Sequence, residues 1–373
     1  MSTIEVKKIT KNFGDFVAVR DVDLTVAAGE VVCLLGPSGC GKTTTLRMIA
    51  GLERATAGDI IIAGRRMNEL SPEKRNIAMV FQFYALYPAL NVGQNIAMPL
   101  YYEKLPKAEL DARVLRVAKL LHLTDVLDRM PGQVSEGEKQ RIAVARAIVR
   151  DPNCFLFDEP LSRLDVELRH SMRGQIKEVL SNLSKATVIV THDQLEALTM
   201  ADRIAIMRDG LIEQVGTPHD VFARPANVFV ASIIGTPQMN LLEADLKGFS
   251  NGVASVNLAG NAIEISADPA VAQLKHAKVT LGIRPRAFTP VAAAASDTIA
   301  AVAELIEPMG SETLVHARTT TGGDIRVVVP RDRRIKIGEA LHLKPDPRQT
   351  HFFGHEGTLS AGDGRVKWTT AKV

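Results

Sequence analysis

Three cysteines in 373 residues are too few for a disulfide-stapled scaffold. Cys33, Cys40 and Cys154 each lie in or beside an apolar strand or a glycine-rich loop, and none has metal-ligand spacing. They read as reduced, mostly buried thiols of a cytosolic protein. No run of about 18 apolar residues occurs, so no segment is expected to span a bilayer. The opening MSTIEVKKIT has no apolar h-region, so no signal peptide is expected. If the chain works at a membrane, another chain must supply the spanning part. An excess of one charge is missing too: 45 Lys and Arg stand against 42 Asp and Glu, a net charge of +3. That balance leaves no basic footprint for a polyanion, and no nucleic-acid partner is expected. There is no internal repeat at a solenoid period.

What is present is a soluble globular composition and a length that suits two or three domains. One stretch decides most of the reading. Residues Gly36, Pro37, Ser38, Gly39, Cys40, Gly41, Lys42, Thr43 and Thr44 fit the pattern G-x-x-x-x-G-K-[ST]. An apolar strand, Val31–Leu35, leads in, and a helical pattern with Leu46, Ile49 and Ala50 leads out. Phosphates concentrate negative charge in a small volume. A glycine loop lets backbone N–H groups approach them, and the positive end of the next helix faces them. Lys42 can reach the β- and γ-phosphates of a nucleotide. The Thr43 hydroxyl is a hard oxygen suited to Mg²⁺. A glycine-rich turn matching by chance would lack the agreement of both flanks.

Residues 1–235 alternate short apolar strands with helical patterns. Strands are expected at Ile4–Ile9, Val31–Leu35, Ile60–Ala63, Ile77–Phe81, Cys154–Phe157, Thr187–Thr191 and Ile204–Arg208, with long helices at Lys107–Leu121 and Val166–Leu183. This is an α/β pattern, a sheet with helices packed on it. Gly235-Thr236-Pro237 reads as a boundary. Residues 236–373 then change texture. Strand-like runs at Val279–Ile283, Leu314–Ala317, Ile325–Val329 and Leu341–Lys344 suggest a small all-β domain, OB-like or a barrel.

Strand ends in the first part carry chemistry. The strand Cys154–Phe157 ends in Asp158-Glu159-Pro160, at the rim where α/β sheets bind ligands. Asp158 suits Mg²⁺, held through its water shell, and Glu159 suits a general base on the attacking water. Alone, a solvated acidic turn would be the better reading; the phosphate loop upstream reverses that. His192, in VTHD after Thr187–Thr191, can contact a γ-phosphate and orient water, although a lone histidine is usually structural. Gln82, after Met79-Val80-Phe81, can ligate Mg²⁺ or water, or simply cap a strand.

With these motifs in this order the chain resembles the nucleotide-binding subunit of an ABC transporter. The likeness extends to FYALYPALNVGQNIAMPL at 83–100, THDQLEALTMADRIAIM at 191–207, GIRP at 282–285, GSETLVH at 310–316 and Asp346-Pro347, which look like carbohydrate-importer ATPases of the maltose and glycerol-3-phosphate group. The resemblance implies a P-loop ABC ATPase domain followed by a regulatory β domain, ATP and Mg²⁺ as cofactors, and catalytic roles for Lys42, Gln82, Glu159 and His192. It implies that Phe13 stacks on adenine, that Ser135 and Gly137 close on the ATP of a second ATPase subunit, and that Ser162, Leu164 and Asp165 cross to that subunit. It implies membrane-spanning permease subunits docked at residues 83–100, a separate substrate-binding protein, and a peripheral place on the cytoplasmic face of the plasma membrane. A sugar, polyol or glycerol phosphate is the substrate it suggests.

Two positions depart from the family pattern. The signature, commonly LSGGQ, is here Val134-Ser135-Glu136-Gly137-Glu138. It opens an expected helix, Glu136–Arg150, whose N-terminus favours anions. Glu138 suits a capping box with Ser135. Glu136 takes the place of a glycine and sets a carboxylate against the partner's ATP unless it turns away. The expectation is that this chain pairs with a different ATPase subunit. The alternative function is a nucleotide-binding regulatory or structural subunit with weak hydrolysis. Arg286 stands where related domains have a glutamate after GIRP; the charge reversal is read either as altering regulatory contacts or, preferably, as a surface change without consequence.

Overall fold

The computed structural model describes residues 3–258, 261–267, 271, 278–320, 322–354 and 358–359. The first unit opens on strands β1 (Ile4–Phe13) and β2 (Phe16–Val26), an antiparallel hairpin paired from Ile4↔Val26 to Phe13↔Phe16 with register shifts between Val6 and Asn12. Next come β3 (Val31–Leu35), α1 (Lys42–Ala50), β4 (Ala57–Ile62), β5 (Arg65–Arg66), α2 (Pro72–Arg75), β6 (Ile77–Val80), α3 (Val92–Ala97) and α4 (Lys107–Leu120). The signature helix α5 (Glu136–Ile148) leads to β7 (Cys154–Asp158), α6 (Val166–Asn182), β8 (Ala186–Thr191), α7 (Gln194–Met200), β9 (Arg203–Arg208) and β10 (Leu211–Gly216).

Two sheets form from these strands. The first has the order β2-β1-β4-β5, and the second β10-β9-β3-β8-β7-β6. In the second, β3, β6, β7, β8 and β9 pair in parallel. Parallel strands covered on both faces need continuous apolar runs, and VVCLL in β3 and CFLFD in β7 are buried at every residue. Both sheets contribute to one core, with Ile4, Val6 and Ile60 from the first and Leu34, Leu156 and Val188 from the second. Each such side chain contributes roughly 1.5–3 kcal/mol by leaving water. Arg75 is buried beneath it, and its guanidinium donates to the carbonyls of Leu70, Met48 and Ile49 at 3.0, 2.7 and 2.8 Å. It thereby satisfies carbonyls that the end of α1 leaves open.

The compact units divide between Pro218 and His219, ahead of the boundary expected at Gly235. The segment before Gly235 is tied to the second unit by Arg284, which donates to the carbonyls of Ile234 and Phe222 and stacks 3.8 Å from the Phe222 ring. The second unit begins with short helices, α8 (Pro218–Ala223) and α9 (Val228–Ile233), and is otherwise built of strands. These are β11 (Asn240–Ser250), β12 (Val253–Leu258), β13 (Asn261–Ser266), β14 (Lys278–Ile283), β15 (Phe288–Val291), β16 (Ile299–Pro308), β17 (Glu312–Thr319), β18 (Asp324–Pro330), β19 (Ala340–Pro345), β20 (Thr350–Phe353) and β21 (Thr358–Leu359). They make a six-stranded sheet, β13-β12-β11-β14-β20-β21, and a five-stranded sheet, β15-β19-β16-β17-β18. Alternate residues of both, such as Leu242, Ala244, Leu246, Val315, Ala317, Val327 and Val329, fill a common core. Arg286 lies exposed at the surface and has partners there. It pairs with Glu312 of GSETLVH through Nε at 3.0 Å and Nη2 at 2.6 Å, and donates to the Thr236 carbonyl at 3.2 Å. Its reversed charge has an acidic partner in the same unit.

Candidate nucleotide site

The site grows from strand register. Val80 of β6 lies beside Phe157 of β7, Asp158 beside Val190 of β8, and Thr191 beside Leu35 of β3. The parallel strands therefore end along one edge. Gln82, Glu159, His192 and the loop from Gly36 come directly after these strands, so they leave the sheet side by side at its carboxyl edge.

The loop is shaped by close backbone approach. A Cβ on Gly36 would lie 2.3 Å from the Met207 carbonyl oxygen and 2.7 Å from Cys40 Sγ. Gly41 has φ +99°, and a Cβ there would lie 2.6 Å from the Ala18 carbonyl oxygen on β2. No other residue type fits either place. Gly41 also begins α1 without a side-chain cap, so the first-turn N–H groups are left to a ligand. Lys42 is only 5% exposed, and its Nζ donates to the carbonyls of Gly36 and Pro37 at 2.8 and 2.7 Å. Cys40 Sγ lies 3.7 Å from the same ammonium. Burial pushes the thiols of Cys33, Cys40 and Cys154 up, so none is a ready thiolate.

Asp158 and Thr43 meet: Thr43 Oγ1 donates to Asp158 Oδ1 at 3.1 Å. Burial pushes the Asp158 carboxyl up, and the Thr43 bond opposes this. Two hard oxygens, one on a desolvated carboxylate, fit Mg²⁺, whose charge would offset that desolvation. Glu159 has φ +47°, a conformation that a side chain tolerates only when its surroundings impose it. Its N–H is held by the Val190 carbonyl at 2.9 Å, and its own carbonyl accepts from Ser162 Oγ at 3.0 Å. The carboxylate is shared: Oε1 lies 3.1 Å from His192 Nδ1, and Oε2 accepts from Gln82 Nε2 at 2.9 Å. Lys42, Thr43, Gln82, Asp158, Glu159 and His192 thus form one edge cluster.

Phe13, Ser135, Gly137 and Asp165 form no hydrogen bond or ion pair with that cluster among the described residues. Phe13 stands at the tip of the β1–β2 hairpin, 48% exposed, with Lys11 Nζ 4.7 Å from its ring centroid. It is therefore no core anchor. Asp165 caps α6 by accepting from the Leu168 N–H at 2.9 Å. Gly137 lies under Leu168, whose Cδ2 would be 2.7 Å from a Cβ at that position. Ser135 caps α5 in a capping box: Glu138 Oε2 accepts from its N–H at 2.7 Å and its Oγ at 2.8 Å. Glu136 turns to Lys139, with Oε1 2.6 Å from Nζ, and this pair holds its carboxyl below the usual carboxylate range.

Beyond Gln82 the chain leaves aromatic rings in solvent. Phe83, Tyr87, Tyr101 and Tyr102 are exposed, Tyr102 at 86%. The backbone beneath is firmly held. Arg146 of α5 donates to the carbonyls of Tyr84 and Ala85 at 2.7 and 2.6 Å, and Asn95 Nδ2 bonds the carbonyls of Tyr87, Leu90 and Asn91. Arg163, in the loop before α6, lies 4.0 Å from the Phe83 ring. The sequence reading did not single out Arg163, which packs on Phe83, nor the pair beside His192 in which Arg169 Nη1 donates to Asp193 Oδ2 at 3.3 Å. Asp193 was legible as the acid opening α7; the two arginines carry no local signal.

Comparison with known proteins places this geometry. An ABC transporter family model matches residues 19–162 and a TOBE domain model matches residues 281–353. The chain is 43% identical over 353 residues to the sn-glycerol-3-phosphate import ATP-binding protein UgpC 2 of Agrobacterium fabrum, covering 95% of this chain and 93% of the relative. It is 43% identical over 372 residues to the trehalose/maltose import ATP-binding protein MalK of Thermococcus litoralis, covering 95% and 98%. The ATP-binding cassette MJ0796, solved as a dimer in a post-hydrolysis state with ADP and phosphate, superposes with a TM-score of 0.52 at 30% identity, over 58% of this chain and 98% of that one. The chain therefore belongs to the ABC transporter family, as the ATP-hydrolysing, energy-coupling subunit of an importer.

Proposed function

We propose that the edge cluster hydrolyses ATP between two copies of this chain and drives import of a sugar, polyol or glycerol phosphate. The observation that carries this is the shared Glu159 carboxylate, held at once by Gln82 and His192 beside a glycine loop with open N–H groups. The loop and Lys42 bind the phosphates. Glu159 takes the proton of the attacking water, His192 orients that water and the γ-phosphate, and Phe13 receives the adenine. Thr43, Asp158 and Gln82 would hold Mg²⁺, which supplies charge neutralisation at the phosphates when bound. Ser135, Gly137 and Asp165 work across the dimer, which accounts for their making no hydrogen bond to the cluster within one chain among the described residues. The working division runs along the chain, with residues 1–235 carrying the ATP chemistry and 236–373 the regulation.

The Lys139 ammonium pairs with Glu136 on its own helix, which supports a reading in which Glu136 turns away from the partner's ATP and two copies of this chain can pair. The exposed Phe83 and Tyr87 of the 83–100 segment support docking of a permease there, in which case the chain sits peripherally on the cytoplasmic face of the membrane and works with a separate substrate-binding protein. Among the described residues, no helix is long and apolar enough to cross a membrane. The substrate class rests on the relatives' names. The test is ATP-dependent dimerisation of the Glu159→Gln chain in a sedimentation experiment. ATP should turn monomer into dimer, and ADP should not. A chain that binds ATP yet stays monomeric would favour the other reading, a partner ATPase of different sequence.

A further inference from the structure

We propose that Arg169 is a positioning residue for His192, and that it does so by clamping the loop after Glu159 to the turn that carries the histidine. The proposal rests on the proposed function, in which Glu159 and His192 act on ATP. Arg169 lies in the first turn of α6, where its N–H bonds the Asp165 carbonyl at 2.9 Å. Its guanidinium reaches in two directions. Nη2 donates to the Leu164 carbonyl at 3.0 Å, and Nη1 to Asp193 Oδ2 at 3.3 Å.

Each end of this fork leads back to the catalytic carboxylate. On one side, Leu164 belongs to the short loop in which Ser162 Oγ donates to the Glu159 carbonyl at 3.0 Å. On the other, Asp193 comes directly after His192, whose Nδ1 lies 3.1 Å from Glu159 Oε1. Glu159, Ser162, Leu164, Arg169, Asp193 and His192 therefore close a ring of contacts. A ring fixes the imidazole–carboxylate distance from two sides, where a single tether would leave a hinge.

The turn around His192 also makes hydrogen bonds to its own neighbours. Asp193 Oδ1 accepts from the Leu195 N–H at 2.7 Å, and the Asp193 N–H donates to Thr191 Oγ1 at 2.9 Å. Thr191 Oγ1 in turn donates to the buried Glu196 Oε2 at 2.7 Å. The strand ladder already holds the start of this turn beside Glu159, whose N–H bonds the Val190 carbonyl at 2.9 Å. Arg169 adds a tie on the far side of His192, at Asp193. A lysine could reach one of the two acceptors, but it lacks the planar fork that spans both. A second tie joins the same helices farther away, where Lys177 Nζ donates to the Thr199 carbonyl at 2.7 Å. It serves as an internal control, since it binds α6 to α7 without touching the ring.

The experiment compares Arg169→Ala, Arg169→Lys, Lys177→Ala and His192→Gln in the full chain. It reads steady-state ATP hydrolysis and the imidazole signal of His192 in a histidine-labelled NMR spectrum, assigned with His192→Gln. Misplacing one group of a reacting set should cost about tenfold in kcat while KM for ATP stays within about twofold. Arg169→Ala should show that loss and a displaced His192 signal, Arg169→Lys a partial recovery of both, and Lys177→Ala neither effect. An unmoved His192 signal with wild-type kcat in Arg169→Ala would overturn the proposal, and so would an equal loss in Lys177→Ala. Full turnover by His192→Gln would instead strike the reading of His192 in hydrolysis; the NMR signal would still decide whether Arg169 places the ring.

Discussion

Acidification should loosen the second unit through one buried histidine. His351 lies on β20, opposite Gly282 of β14, and is 4% exposed. Its ring stacks on Phe353 with centroids 6.0 Å apart. Burial, and then the Arg284 guanidinium, lowers its pKa from 6.5 to about 4. A histidine depressed in the folded state favours folding above its unfolded pKa, and that contribution is lost as pH falls toward the folded value. At pH 5 the unfolded imidazole is almost fully protonated and the folded one mostly neutral. The linkage relation then gives a loss of about 2 kcal/mol between pH 7 and pH 5 from this group alone. The assay is urea unfolding at both pH values, monitored by far-UV circular dichroism, for the wild type and for His351→Gln. Carboxylates titrate equally in both proteins, so the difference between their pH dependences isolates His351. The variant should lose about 2 kcal/mol less than the wild type over this range. Equal losses would show that the imidazole is protonated in the folded state and that the burial argument fails.

The phosphate loop leads to two further expected outcomes. A bulky maleimide should react slowly with the buried Cys40, faster as pH rises, because burial holds the thiol up. The adduct should no longer bind ATP, and ATP should protect; full binding after alkylation would contradict the loop geometry. Gly41→Ala forces a Cβ to within 2.6 Å of a backbone carbonyl at φ +99°, which should cost at least about 1–3 kcal/mol and weaken ATP binding by more than about tenfold. An affinity within twofold of wild type would refute it.

Much of the site was legible because its parts are local. The loop at 36–44 carries its own glycines, and the acids after Cys154–Phe157 end a run of apolar residues that only a doubly covered strand needs. What was not legible depends on distant partners. Phe16–Val26 alternates buried and exposed positions through Val22, Leu24 and Val26, yet charged residues between them masked a strand. Asn240–Ser250 has the same alternation and was also missed. Glu136 reads as an isolated acid until Lys139, one helical turn on, is seen to pair with it. Arg286 likewise finds Glu312 only through folding. Arg169 is one of many arginines in the chain. Its meaning appears when two separate loops bring a carbonyl and a carboxylate to its fork.

The central claim is that the Glu159 cluster of this chain hydrolyses ATP without help from a different ATPase. The most direct test is Mg²⁺-ATP hydrolysis by the purified chain alone, with Glu159→Gln as the blank. The structure predicts clear turnover that rises with chain concentration, as two copies close on ATP, and that vanishes in the blank. ATP binding with turnover no greater than the blank would contradict the account and point to a partner ATPase or a regulatory role.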